Sequence, residues 1–447
     1  MTHKATRRDF LKTAGALGAL GTIGGTSAMA QSGGYQALVC IFLAGGNDSH
    51  NMVIPISTAK QSYALYAQGR QSLAIPQSSL LPISNGGDQY GLHPLMPEIE
   101  NLYNAGNAAV IANVGMLMQP VTRAQYLNNP FQNVPVQLFS HADQVNQWQT
   151  AIPDGTAIAG WGGLVEDDLA PLNAGAAFSP ITSAAGCGLF CQGQNTFPAT
   201  VPVGGASSLI GATASYRLNA VQNLMAFDNG LKLVQAANTN FNHGVGFSQA
   251  LSTALASATI HTPFPPTLPG QQLQTVAKIM SIRGVLGIAR QIFFCQLGGF
   301  DTHGLQSGNQ DPLLQQLSQA VGQFYLATQE VGTATSTVTF TASEFGRTLQ
   351  ANGNAGTDHA WGSHHLVIGM NNSNGGPLLG GKFYGQFPSL ALGGADDANS
   401  RGTMIPTTSV DQYAATMAQW LGLPPASVGQ IFKYVGNFAT ANLGFLV

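Results

Sequence analysis

One short pattern occurs twice in this chain, each time directly after an apolar run with the length of a buried strand. Residues 45–50 read Gly-Gly-Asn-Asp-Ser-His and follow the run 36–43, while residues 298–303 read Gly-Gly-Phe-Asp-Thr-His and follow the run 291–297. Short, largely apolar runs are typical of strands buried on both faces of a parallel sheet. Such sheets bind ligands at the carboxyl ends of their strands, where glycines let the backbone turn sharply. The repeat therefore predicts a parallel sheet in which two strand ends each deliver an aspartate to one site.

The rest of the chain alternates between strand-like and helix-like patterns. Residues 116–212 are rich in Pro, Gly, Ser, Asn and Gln and show little periodicity, so we expect long loops or an insertion over one face there. Strands that alternate with helices predict an α/β fold, with a mainly parallel sheet and helices on both faces. Further strands are expected at 108–114, 335–342 and 365–370, and helices near 94–105, 216–237, 271–290, 313–330 and 410–421.

Charged residues are scarce. Only 16 basic and 19 acidic residues occur among 447, which is 8% of the chain against about 25% in a usual soluble domain. The hydrophobic content of 44% and the net charge of −3 exclude an intrinsically disordered chain. A nucleic-acid binder is excluded because there is no surplus of Lys and Arg to neutralise phosphates. In such a chain, a cluster of carboxylates and histidines indicates where a site lies.

The amino terminus has the pattern of an export signal. Residues 6–12 read Thr-Arg-Arg-Asp-Phe-Leu-Lys, which matches the twin-arginine pattern, and residues 28–30 read Ala-Met-Ala, a small-residue cleavage site. We therefore expect a signal peptide over 1–30, recognised by the twin-arginine translocase, and a single α/β domain over 31–447 located in the periplasm or secreted. No later run of 18 or more apolar residues occurs, so we expect no membrane anchor. In an oxidising compartment, Cys187 and Cys191 could form a small disulfide.

Residues 341–365 contain a second concentration of ionisable side chains. Four of the ten histidines lie between 303 and 365. Carboxylate oxygen and imidazole nitrogen together are the ligands of divalent ions such as Zn²⁺ or Mn²⁺. We expect one or two divalent ions, with Zn, Mn, Ca and Mg all open. The candidate ligands are Asp48, Asp301, His303, Glu344, Asp358, His359, His364 and His365.

Simpler roles exist for each of these residues. An aspartate after Gly-Gly can cap a helix or form an Asx turn. Glu344 and Arg347 are separated by one helical turn and can pair with each other. His364 and His365 can belong to a loop and the core. Their joint occurrence near predicted strand ends, in a chain with so few charges, favours the metal site.

The motifs together resemble the bacterial family known as domain of unknown function 1501. The most specific are Gly-Phe-Asp-Thr-His-Gly at 299–304, Ser-Glu-Phe-Gly-Arg-Thr at 343–348 and Gly-Thr-Asp-His at 356–359. The resemblance extends over nearly the whole chain after the signal peptide. That family is in turn similar to the alkaline phosphatase and sulfatase superfamily, which implies a metal-dependent hydrolase fold.

The resemblance also implies roles for individual residues. Asp48 and the pair Asp358-His359 would bind one ion. Asp301 and His303 would bind the other, although they are closer together than the superfamily's usual spacing, and either His364 or His365 would complete that second set. Glu344 would be an accessory ligand or would orient one.

The expected nucleophile is Ser140, which follows the region similar to the superfamily's early helix and strand. Ser49, Thr122 and Thr302 are further hydroxyl groups near predicted ligands or strand ends, and Ser140 can equally be a helix cap. His141 would act as general acid or base, and Arg347 would stabilise a developing oxyanion. The chain has no Cys-x-Pro-x-Arg sulfatase motif, so no formylglycine is expected.

The best single activity is hydrolysis of a phosphate or sulfate ester, small or polymeric, by an exported metal-dependent enzyme. One alternative is a non-catalytic exported binding or assembly protein that retains the fold and a structural metal. Another is a hydrolase of a different ester that uses Ser140 and His141.

Overall fold

The computed structural model describes residues 34–447 except 60, 187, 206–213 and 228–229. A nine-stranded sheet forms the centre of this part of the chain. A second, three-stranded sheet packs in the same compact unit, Tyr35–Val447. The predicted signal peptide over 1–30 and Cys187, half of the predicted disulfide, lie outside the described residues. In chain order the strands are β1 (Gln36–Ala44), β2 (Val53–Ser57), β3 (Leu81–Asn85), β4 (Asp88–Leu92), β5 (Ala108–Gly115), β6 (Ile181–Ser183), β7 (Ala199–Thr200), β8 (Arg290–Gly298), β9 (Thr337–Ala342), β10 (Ser363–Gly369), β11 (Phe383–Tyr384) and β12 (Thr408–Ser409).

The strand order of the large sheet brings the two Gly-Gly motifs together. The order is β11-β5-β10-β9-β1-β8-β6-β7, and β12 pairs with β5. All pairs are parallel except the two that involve β10. Strand β1 lies between β8 and β9, so the carboxyl ends of all three are neighbours at one edge. The predicted mainly parallel sheet is therefore confirmed.

Helices cover both faces of the sheet, as predicted. Alternate residues of β1 point to opposite faces. Val39 belongs to one hydrophobic cluster, together with Leu273 and Leu314, and Leu38 belongs to another, together with Val165 and Val410. The helices are α1 (Tyr63–Arg70), α2 (Pro97–Asn104), α3 (Arg123–Asn128), α4 (His141–Thr150), α5 (Trp161–Leu169), α6 (Ser215–Met225), α7 (Lys232–Leu255), α8 (Leu268–Ser281), α9 (Arg283–Leu286), α10 (Gln306–Glu330), α11 (Val410–Leu421) and α12 (Pro425–Ile431). None of those among the described residues is long and apolar enough to span a membrane.

Residues 116–212, expected to be loops or an insertion, contain α3, α4, α5 and the short strands β6 and β7. Strand β6 pairs with β8, and β7 pairs with β6, so this segment extends the large sheet at one edge. Strands of two or three residues are too short to show a period-two pattern, which explains why the sequence did not indicate them. Helix α4 begins at His141 and carries that side chain towards the strand ends.

Candidate metal centre

The loops that follow β1 and β8 can approach each other closely because glycines follow β1. Gly45 and Gly46 have φ angles of +120° and +78°, in the region that side chains disfavour. A Cβ atom at Gly45 would lie 2.3 Å from the backbone nitrogen of Asp301. Any larger residue at 45 would therefore force apart the two loops. The glycines bring Asp301, which follows β8, against the end of β1.

Three imidazole rings converge on Asp301. The distances from its Oδ1 atom to the Nε2 atoms are 3.5 Å for His141, 3.2 Å for His303 and 3.6 Å for His359. The Nε2 atoms of His303 and His359 are 2.8 Å apart. The three histidines come from the start of α4, the loop after β8 and the loop between β9 and β10. We call these four residues the His₃Asp cluster.

The other ring nitrogen of each histidine faces an oxygen atom. Because the Phe139 carbonyl can only accept a hydrogen bond, the Nδ1 atom of His359 carries the proton. Burial lowers the pKa of His359, so its ring is neutral and its Nε2 atom presents a lone pair to the cluster. The Nδ1 contacts are Glu344 Oε1 at 2.8 Å for His141, Asp358 Oδ1 at 3.3 Å for His303, and the Phe139 carbonyl at 2.8 Å for His359.

These distances fit a divalent metal ion. Tetrahedral zinc with bonds of about 2.0–2.1 Å holds its ligand atoms about 3.4 Å apart. The four distances above, from 2.8 to 3.6 Å, lie around that value. The Nε2 atom of His141 is buried and has no hydrogen-bond partner among the described residues. The donor set, three nitrogens and one carboxylate oxygen, is one that zinc and manganese accept.

The electrostatics of the cluster follow from its neighbours. The hydrogen bond to Glu344 raises the pKa of His141. Partial burial raises the pKa of Asp301, but the Arg347 guanidinium outweighs it and holds that pKa below its usual value. Asp301 therefore stays ionised at neutral pH. The side chains of Asp301 and His303 are 50% and 47% exposed, so one side of the cluster opens to solvent.

Arg347 lies beneath the cluster and is fully buried. Its guanidinium donates to the carbonyls of Gly45 and Gly46, both at 2.9 Å, to the Thr357 carbonyl at 2.6 Å, and to Asp301 Oδ1. With no exposed surface, it orients Asp301 and does not present a donor to a substrate. This differs from the oxyanion-stabilising role expected from the sequence.

Asp48 is not brought into the cluster. Its carboxylate is fully buried, and its Oδ2 atom accepts hydrogen bonds from Arg70 and Gln306. Its Oδ1 atom accepts from the backbone nitrogen of His50 at 3.0 Å. Both oxygens are therefore occupied by protein groups, and the charge is balanced by Arg70.

His364 and His365 are also not brought into the cluster, because both are buried in strand β10. His364 Nδ1 accepts from the backbone nitrogen of Asn113 at 3.0 Å. His365 packs against Trp148 and Tyr413, with ring centroids at 4.9 and 5.8 Å. Burial lowers the pKa of His365 to about 3, so this ring is neutral.

Ser140 immediately precedes α4, and its hydroxyl donates to the Asp143 carboxylate at 2.5 Å. The next residue, His141, was expected to transfer protons, and the structure places it in the His₃Asp cluster. Phe139, on the other side, has a φ angle of +76°, a conformation rare for a residue with a side chain. This turn aims the Phe139 carbonyl at His359 and the following helix at Asp301.

Sequence reasoning missed four supporting groups. Arg70 balances Asp48, and the Phe139 carbonyl holds His359. Asn352 and Arg401 hold Asp358, with nitrogen–oxygen distances of 3.0 and 2.8 Å. The arginines could have been found by asking which of the 16 basic residues balance the acidic ones, whereas nothing in the sequence indicates a backbone carbonyl as a partner.

The fold is similar to several solved structures. One is Ps i-CgsB, at 10% identity over 90% of this chain and 77% of that one, with a TM-score of 0.37. Another is the PsFucS1 sulfatase from Pseudoalteromonas sp., at 10% identity over 92% and 76%, with a TM-score of 0.33. A third is the C-terminal periplasmic domain of EcEptC from Escherichia coli in a complex with Zn, at 9% identity over 76% and 74%, with a TM-score of 0.33.

No curated protein matches the chain. The family described as protein of unknown function (DUF1501) matches residues 35–428, which include the whole His₃Asp cluster and the groups that support it. The chain belongs to this family.

Proposed function

We propose that this protein is an exported, metal-dependent hydrolase of phosphate or sulfate esters. The observation that carries the proposal is the convergence of three imidazole Nε2 atoms on Asp301 Oδ1, on a side of the molecule open to solvent. Export to the periplasm or beyond, through the twin-arginine translocase, rests on the pattern at residues 6–12.

Zinc is the ion that this donor set favours. Three nitrogens and one oxygen at near-tetrahedral spacing suit Zn²⁺, and Mn²⁺ is the next candidate. Ca²⁺ and Mg²⁺ favour sites made of oxygen atoms. We propose one ion, held by His141, Asp301, His303 and His359, because Asp48 already has Arg70 as its counter-charge.

Four protein ligands alone are typical of a structural zinc site, whereas a catalytic ion needs a position for the substrate. The exposed side of Asp301 and His303 leaves room for a substrate oxygen as a further ligand, and we therefore favour catalysis over a purely structural ion. A bound ion would act as a Lewis acid that polarises an ester oxygen. The chain's own contribution is orientation. Glu344 and Asp358 fix two rings through Nδ1, and the Phe139 carbonyl fixes the third, so that the Nε2 atoms point to one place.

Ser140 is the candidate nucleophile. Its hydroxyl already donates to Asp143, so attack of Oγ on phosphorus or sulfur would transfer that proton to the carboxylate. The bond from phosphorus or sulfur to the leaving alcohol would break, and that alcohol would take a proton from solvent. A water molecule would then hydrolyse the phosphoryl- or sulfuryl-serine, restore the hydroxyl of Ser140 and release the phosphate or sulfate. A water molecule is the other candidate, and Ser140→Ala distinguishes the two because it abolishes only the serine route.

A non-catalytic binding or assembly protein with a structural ion is the second candidate. The donor set itself supports this candidate, because four protein ligands at near-tetrahedral spacing are typical of structural zinc sites. Both functions predict metal binding at the same residues, so turnover separates them.

The test uses the exported form of the protein, its metal content, and a panel of aryl phosphate and sulfate esters. We expect about one zinc per chain and hydrolysis of at least one ester. Asp301→Ala should remove both, and Asp154→Ala, in a surface ion pair with Lys433, should remove neither. Metal without turnover of any ester would favour the binding protein, and absence of metal from the wild type would contradict both functions.

A further inference from the structure

A separate cavity lies at the far edge of the large sheet, between strand β7 and helix α7. Its volume is about 310 Å³, at the lower end of the range typical of small-molecule sites. Helix α7 contributes one face to it, including Asn240, His243, Gly244 and Phe247. No residue of the His₃Asp cluster lines this cavity.

Aromatic rings form the walls of the cavity. The ring of Phe197 meets that of His243 at a centroid distance of 4.4 Å and an angle of 89°. The rings of Phe178 and Phe247 meet at 5.5 Å and 65°. Phe197 lines the cavity and is 36% exposed, so this residue is accessible to a ligand. Open aromatic faces offer a flat apolar surface to a ring-shaped ligand.

The rest of the described lining combines aliphatic residues with uncharged polar ones. Gln192, Thr200, Asn240 and Ser248 contribute amide and hydroxyl groups. The His243 Nδ1 atom is buried without a hydrogen-bond partner among the described residues. A cavity with no Lys or Arg among its described lining residues does not select an anionic ligand. An acyl chain would leave the amide, hydroxyl and imidazole groups without hydrogen-bond partners, which disfavours that ligand.

The edge strand itself does not favour a peptide as ligand. Pro198 and Pro202 flank β7 and line the cavity. Proline has no N–H group, so it weakens the edge as a template for an added strand. A compact ligand is therefore favoured over an extended chain segment.

We propose that this cavity binds one neutral sugar residue of a carbohydrate. A pyranose ring has an apolar C–H face that can stack on an aromatic ring, and hydroxyl groups that need amide, hydroxyl and imidazole partners. The cavity offers both kinds of surface within a volume suited to one ring. The site is independent of the proposed hydrolytic function and of any metal ion.

Two glycines of α7 give a matched test. A Cβ atom at Gly244 or at Gly246 would meet nothing within 4 Å, so a larger side chain is tolerated at both. Only Gly244 lines the cavity. Leucine at either position also favours the helix, because glycine is a poor helix former. Gly244→Leu should fill the cavity, and Gly246→Leu should leave it open.

The probes are neutral glucose hexasaccharides with β-1,4, β-1,3 and α-1,4 linkages, titrated by calorimetry into the metal-free full chain. We expect the wild type to bind at least one with a dissociation constant on the order of 0.1–1 mM. Gly244→Leu should weaken this at least tenfold, and Gly246→Leu should stay within twofold. Phe197→Ala, which removes the exposed ring, should also weaken binding and serves if Gly244→Leu does not fold.

Three results would overturn the proposal. One is a wild type that binds none of the neutral hexasaccharides. Another is binding that survives both Gly244→Leu and Phe197→Ala. The third is displacement of the bound hexasaccharide by dodecyl maltoside, with an affinity set by the length of the alkyl chain. That result would make the cavity a site for acyl chains.

Discussion

The Nε2 atoms of His303 and His359 face each other at 2.8 Å. His359 keeps its proton on Nδ1, where the Phe139 carbonyl accepts it, so its Nε2 atom carries a lone pair. The Nδ1 atom of His303 faces the Asp358 carboxylate, which accepts a hydrogen bond, so the Nε2 atom of a neutral His303 ring carries a lone pair as well. Two lone pairs at this distance repel each other, and a cation between the two nitrogens removes the repulsion. The pair is therefore arranged to be completed by a positive charge.

From this pair we predict that a divalent ion stabilises the fold. Free Zn²⁺ at 100 times its dissociation constant should raise the free energy of unfolding by about 2.7 kcal/mol. Scanning calorimetry with and without a chelator measures the shift. His359→Ala should lose it, while His261→Ala, a change outside the cluster, should retain it. If zinc does not change the unfolding temperature of the wild type, this prediction is wrong.

Glu344→Gln should weaken zinc binding. Glu344 holds His141 through Nδ1 and does not itself reach the centre of the cluster. Loss of such an outer partner typically weakens metal affinity about 10–100-fold. Competition with a chromogenic chelator measures the affinity, and Glu330→Gln, on the protein surface, is the control. An unchanged affinity in Glu344→Gln would mean that His141 is not a ligand.

The buried pair of Asp48 and Arg70 should matter for stability and not for zinc. Both side chains are fully buried, so Arg70→Met leaves an uncompensated carboxylate and should cost about 3–5 kcal/mol. The double variant with Asp48→Asn should recover part of that loss. Urea unfolding of the wild type, the two single variants and the double variant measures these free energies. Zinc affinity should change less than threefold in Asp48→Asn, and a larger loss would make Asp48 a ligand after all.

The part of the site that follows strands was predictable from the sequence. The Gly-Gly motifs placed Asp301 at a strand end, and β1 proved to lie between β8 and β9. Helix α11 was predicted from its amphipathic pattern with the same bounds, 410–421. The structure shows what sets these bounds, because Ser409 forms a capping box with Gln412 and Gly422 ends the helix in the left-handed conformation.

The parts that depend on packing between distant segments were not predictable. His141 reaches the cluster from a segment without periodicity, and its partner Glu344 is 203 residues away. Asp48 and Asp301 carry the same motif, yet Arg70 from α1 neutralises the first and Arg347 holds the second at an open edge. A local pattern predicts that an aspartate follows a strand, but only the tertiary fold determines which arginine pairs with that aspartate.

Stability should fall between about pH 4 and pH 7 because of Asp411. Burial raises the pKa of Asp411 to about 7, and the hydrogen bond from the Tyr434 backbone nitrogen offsets only part of that rise. In the unfolded chain the same carboxyl has a pKa of about 3.9. Between these values the folded state binds more protons than the unfolded state, so stability decreases as pH rises and levels off above pH 7.

Asp411→Asn should remove that slope and be more stable than the wild type at pH 8, by on the order of 1–4 kcal/mol. Chemical unfolding across pH 4–8 measures the slope, with chelator present so that neither protein binds metal. Equal slopes in the two proteins would show that Asp411 ionises as freely in the fold as outside it.

The central claim is the identity of the residues that hold the ion, and anomalous X-ray diffraction at the zinc absorption edge tests it most directly. We predict one anomalous peak per chain, bonded to Nε2 of His141, His303 and His359 and to Oδ1 of Asp301. A peak at Asp48 or His364, or zinc-soaked crystals without any peak at the His₃Asp cluster, would contradict the account.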